Sequence, residues 1–181
     1  MAMIDAGYFA KRVMARPEFV KAKNVAEICS ASLCMSDGPD GWVEEWRHNW
    51  FGWFNSVEDA WSVVPEAERP GYRLFAYRIG PKRYRNGEML DLVIPPDVHP
   101  TSIPSTFVSL GFDAVSKSRE DVLGFECSPL SCNGMADELP VNSRCLFESE
   151  DAASASAAGF SRGDVEPGDY YVVEVLEGQQ C

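Results

Sequence analysis

Two stretches of the chain are apolar on nearly every side, residues 72–79 and 170–176, each led by tyrosine and rich in aromatic and β-branched side chains. Strands covered on both faces read this way, so the pattern predicts two central strands. A helix signal lies upstream of each. Ser56 stands where an N-cap belongs, and Asp59 occupies the capping-box position. Val57, Ala60, Trp61 and Val64 then share one face, and Pro65 stops the helix. Ser149 plays the same part before Glu150 and Asp151, and Ala153, Ala157 and Phe160 follow it. Residues 4–16, with Ile4, Tyr8, Val13 and Met14 among polar neighbours, predict a short amphipathic helix ending before Pro17. Residues 24–29 and 51–54 predict short strands, and 37–41 a turn. The spacing of Trp42 and Trp46 predicts a helical turn.

These elements recur because the sequence does. Cys29-Ser30 and Cys34 return 98 residues later as Cys127-Ser128 and Cys132. Phe54 and Ser56 return 93 residues on as Phe147 and Ser149, and Pro70-Gly71 returns 97 residues on as Pro167-Gly168. Order is kept and the offsets are nearly equal, which is the mark of internal repetition. The expected fold is α+β, with two pseudo-symmetric strand-helix-strand repeats (about 25–80 and 123–177) sharing one core. A mixed sheet with short helices would hold them together. Residues 1–181 would form a single compact domain, with 81–122 as a proline-rich β connector holding strands near 90–94 and 106–115. A ligand site would lie most naturally in the seam between the repeats.

Charge narrows the partners. The net charge is −12, and it is unevenly placed: residues 1–97 carry 12 basic and 14 acidic side chains, residues 98–181 only 4 against 14. An acidic half repels phosphate backbones, which excludes general nucleic-acid binding and favours a protein partner of basic character. One local exception runs from Arg69 to Arg85, through Arg73, Arg78, Lys82 and Arg83, without an acid. It is either a small anion site, with Arg78, Lys82, Arg83 and Arg85 as binding residues, or a solvated hairpin that complements the acidic half. No apolar run reaches membrane-span length, and the first five residues lack the layout of a signal peptide. The expectation is a soluble, cytoplasmic protein, not membrane-bound, with its cysteines mostly reduced.

Three groups of residues could carry chemistry. Cys29, Cys34, Cys127 and Cys132 form two matching pairs that could be buried thiols or the four ligands of a zinc ion. Cys127 could instead be a nucleophile, with His99 or His48 as its base. Trp42, Trp46, Trp50, Trp53 and Trp61 crowd twenty residues, and with Asn49 the first four could line a binding groove where core packing does not claim them. No phosphate loop, nucleophile elbow or dinucleotide fingerprint is present. The leading expectation is therefore an acidic binding or regulatory protein that works through its Trp-rich first half and the seam, without a cofactor. A cysteine-dependent transferase or hydrolase is the alternative, and a zinc-stapled module the third.

Overall fold

The computed structural model describes residues 2–45, 47–163 and 165–178. Seven strands form: β1 (Ile4–Lys11), β2 (Met14–Ala15), β3 (Glu27–Ile28), β4 (Arg73–Arg85), β5 (Glu88–Asp91), β6 (Val108–Lys117) and β7 (Asp169–Glu177). Among the described residues three α-helices accompany them, α1 (Val57–Ser62), α2 (Pro129–Cys132) and α3 (Glu150–Phe160), with short 3-10 turns at Trp42–Glu44, Glu66–Gly71 and Met135–Asp137. The main sheet has the order β1-β4-β7-β6, and β5 folds back onto the far end of β4. The two strands predicted as central are central. Residues 75–77 and 170–173 are buried, as the absence of any polar face in those runs requires.

The fold is α+β, but its sheet is antiparallel throughout the described residues rather than mixed. A strand-helix-strand order permits a parallel crossover, but it does not require one. Here β4 and β7 run antiparallel beside each other, and each takes its outer neighbour from the strand that precedes the cysteine block, β1 or β6. The amphipathic helix predicted over residues 4–16 is also overturned, since that segment holds the edge strand β1 and the short strand β2. Ala6 to Lys11 are all buried, the lysine included, so this stretch presents no polar face to solvent. Residues 51–54 are a loop rather than a strand, joined to β1 by the bridge between Tyr8 and Phe54.

Gly7 explains why β1 can lie there. It has φ +149, and a Cβ would stand 2.7 Å from Cβ of Trp53 and 2.9 Å from the Phe54 carbonyl oxygen. Gly111 in β6 has φ +131, with a would-be Cβ 2.6 Å from the Phe147 carbonyl oxygen. Both glycines sit at register shifts in the sheet. The loops over them are tied alike. The Asn49 side chain donates to Ala6 O and accepts from the amides of Phe51 and Trp53. That of Asn142 donates to Leu110 O and accepts from the amides of Arg144 and Leu146.

Both N-caps form as the sequence predicts. Ser56 Oγ accepts from the Asp59 amide at 3.0 Å and Ser149 Oγ from the Ala152 amide at 3.2 Å. Helix α1 packs on β1, while α3 lays Ala153, Ala157 and Phe160 against β6 and β7. Among the described residues no helix is long and apolar enough to cross a membrane.

Candidate functional site

The two cysteine blocks converge. The Leu33 amide donates to the Phe125 carbonyl at 2.8 Å and the Cys34 amide to that of Glu126 at 3.3 Å, so the first block crosses the second. The second block is held to β6 by the Ser116 amide on Cys127 O at 2.8 Å. Beneath the crossing lies Asp113, fully buried, whose carboxylate accepts from Ser30 Oγ (2.7 Å), Ser128 Oγ (2.6 Å) and the Ala31 amide (3.0 Å). The serine that follows the first cysteine of each block thus reaches the same carboxylate. Burial raises the Asp113 pKa and the hydrogen bonds oppose that rise. Lys11 is buried as well, with its ammonium on Ser30 O and 4.8 Å from the centre of the Phe75 ring. Desolvation brings it down to about 8.

Three of the four predicted ligand cysteines meet above this network. Cys34 and Cys132 are joined as a disulfide across 98 residues, and Cys127 Sγ lies 3.6 Å from Cys34 Sγ. The three sulfurs lie within 4.8 Å of one another, with Cys34 exposed and the other two half-buried. The fourth, Cys29, is not with them. It is completely buried, and Glu27 is its hydrogen-bonding partner. The four-cysteine set is therefore a set of three, because the first residue of block one points into the core while its counterpart Cys127 stays near the surface. The disulfide also departs from the expectation of reduced cysteines, and such bonds are uncommon in a reducing cytosol.

The expected Cys–His pairing is not formed. His48 has its ring nitrogen Nε2 3.2 Å from Val43 O and its ring edge-on to Trp42, and His99 is exposed with its amide on Asn55. Around Cys127 stand Cys34, Cys132, Asn133 and Glu166 instead, with Asp113 beyond them. Desolvation and the Glu166 charge push the Cys127 thiol up to about 12, the wrong direction for a nucleophile.

The tryptophans are largely structural. Trp53 is 2% exposed, stacked 4.3 Å from Tyr77 between ring centroids, and Trp42 is 9% exposed against Phe9. Trp50 is half-buried under the Lys117 ammonium, 4.0 Å from its ring centre. Asn49 is consumed by its loop, and Trp46 falls outside the described residues. The basic stretch is neutralised in place: Arg73 pairs with Glu27 and Glu177, Arg78 with Asp5 and Glu174, Lys82 with Asp91, and Arg83 and Arg85 with Asp169. The residues expected to hold a small anion, Arg78, Lys82, Arg83 and Arg85, are thus engaged in cross-strand ion pairs, most of them to acids from β1 and β7.

An aromatic surface is left open beside α1. Val57, Trp61, Tyr72, Leu74, Pro104 and Phe107 line a groove of about 830 Å³, with Glu66 and Arg69 also on its walls. The Arg69 guanidinium lies 5.9 Å from the Trp61 ring centre. Helical periodicity assigned Trp61 to an inner face, and Phe107 lay in the connector, so this site was missed. The only advance signal was that Trp61 is bulkier than a six-residue helix can cover. Comparison of the chain with protein-family profiles, with curated proteins and with solved structures finds no match.

Proposed function

We propose that the protein is an acidic binding or regulatory module that holds a protein partner in the groove beside α1. One observation carries this reading: an open cleft of about 830 Å³ between Trp61 and Phe107, floored by the buried Tyr72. A cleft of that size fits the apolar side chains of a partner's anchor segment, and Trp is among the residue types that dominate such contacts. The charge balance supports a basic partner. The chain's cations between Arg73 and Arg85 are already matched to carboxylates, so the surplus of −12 is left to steer association. The tryptophan-rich first half keeps its role in this reading, through Trp61 rather than through Trp42 and Trp53.

The scaffold is read as two related units, each running strand, cysteine block, asparagine loop, helix and strand. Gly7-Tyr8 with Ala10, against Gly111-Phe112 with Ala114, supports beginning the units at β1 and β6 rather than near residues 25 and 123. The matching side-chain bonds of Asn49 and Asn142 support the same pairing.

A photoreactive benzophenone side chain placed at Thr106, on the groove wall, tests the binding reading in cells that express the protein. It should yield one discrete adduct that disappears with Trp61→Ala. The same probe at Val93, 83% exposed and outside the groove, should yield none. Adducts of equal yield from both positions, or an adduct that survives Trp61→Ala in the folded protein, would refute the groove as the binding surface.

A further inference from the structure

The third sulfur of the cysteine cluster is more than a disulfide needs. Cys34 and Cys132 complete a covalent pair by themselves, yet the fold brings Cys127 Sγ to 3.6 Å from Cys34 Sγ. Two independent sets of bonds hold it there: the Ser116 amide on its own carbonyl, and the Cys34 amide on the Glu126 carbonyl. We propose that, in its reduced state, the protein binds one thiophilic d10 cation of the zinc and cadmium class through the sulfurs of Cys34, Cys127 and Cys132.

Geometry favours this set. Thiolates at about 2.3 Å from a tetrahedral ion stand roughly 3.8 Å apart, close to the present separation of Cys34 and Cys127. The Cα atoms of Cys34 and Cys132 are 7.1 Å apart, which leaves room for their sulfurs to separate about an ion without backbone rearrangement. Cys34 is exposed, which supplies an entry path and leaves a fourth position for water or an outside ligand. The surrounding charge is of the right sign. The charged side chains that act on Cys127 are Glu166 and Asp113, both acidic, and Glu166 accepts from Nδ2 of the Asn133 side chain at 3.0 Å. Three thiolates there call for a cation. Cys29, the fourth cysteine of the sequence pattern, takes no part.

Opening the site requires a dithiol reductant. It delivers two electrons and two protons to the Cys34–Cys132 bond, forming two thiols, and leaves as its own cyclic disulfide. The incoming cation then displaces one proton from each thiol it binds. The inference does not depend on the groove beside α1.

The test is a titration of the full-length protein with cadmium(II), reduced and freed of reductant without oxygen. Expected are about one equivalent bound per chain, an ultraviolet thiolate-to-cadmium band, and competition by zinc(II). The unreduced protein and Cys127→Ser should each bind at least about 100-fold more weakly, since both lack a complete ligand set. In the wild type, bound metal should shield Cys34, Cys127 and Cys132 together from iodoacetamide, a readout that needs no variant. If reduction unfolds the chain, cadmium should restore its near-ultraviolet spectrum. No uptake, undiminished uptake by Cys127→Ser, shielding of a different set, or failure to refold would each overturn the proposal.

Discussion

Asp113 is the side chain on which both cysteine blocks rest, and its removal has a calculable effect. In Asp113→Ala the Ala31 amide and the Ser128 hydroxyl lose the acceptors they have at 3.0 and 2.6 Å, inside the core. Ser30 Oγ keeps a partner, since Ser32 Oγ lies 2.7 Å away. Two stranded donors cost about 1–3 kcal/mol each, and the buried Lys11 ammonium loses a nearby opposite charge, so the total falls at about 3–5 kcal/mol. For a chain of this size that is a fall in Tm of roughly 6–20 °C. Asp113→Asn keeps one oxygen for Ser30 and Ala31 and turns an amide toward Ser128 Oγ, which can then accept. Its cost is about 1–2 kcal/mol. Because burial raises the Asp113 pKa, the folded state holds its proton to higher pH than the unfolded state does. The stability of the wild type relative to Asp113→Asn should therefore fall as pH rises from about 4 toward 7. Urea unfolding of the three proteins at both pH values, with m compared to exclude a change of denatured state, measures all of this. If Asp113→Ala lies within about 1 kcal/mol of wild type, or Asp113→Asn is as damaging as Asp113→Ala, Asp113 is not the anchor of the two blocks.

Two further measurements probe the sheet and the buried lysines. Gly111→Ala should destabilise by several kcal/mol, at least about 2, because its Cβ would meet a backbone carbonyl at 2.6 Å in a conformation with φ +131. Gly159→Ala in α3, with nothing within 4 Å, should instead stabilise by about 0.5–1 kcal/mol, and thermal unfolding that reversed this order would refute the close approach assigned to Gly111. Lys11 and Lys117 are both brought down by burial from 10.5 to about 8. The unfolded chain then holds more protons than the folded one above about pH 8, so stability should rise between about pH 7.5 and 9. Buried thiols such as Cys145, raised to about 12, oppose the trend above about pH 9. Urea midpoints should show a rise that Lys117→Met about halves, and a flat or falling profile in the wild type would contradict the burial of these charges.

What was legible in the sequence was local. Ser56, Asp59 and Pro65 fix α1 through bonds spanning three residues or a ring that cannot continue a helix, and Ser149 does the same for α3. The apolar runs that became β4 and β7 needed only their composition to be read as covered strands. Segment 4–16 misled because its helical spacing competes with a burial set by Trp53 and Phe54, more than forty residues away. Tertiary structure alone decided that the sheet is antiparallel, that Cys29 turns inward while Cys34, Cys127 and Cys132 meet, and that the arginines of β4 find acids on β1 and β7. It also left Trp61, of the tryptophans described, beside an open groove. Capping and periodicity act within a turn or two of chain and so are written in neighbouring residues. A sulfur's partner or an indole's exposure depends on contacts between residues 40 to 100 positions apart, and these exist only once the packing of the whole core has selected them.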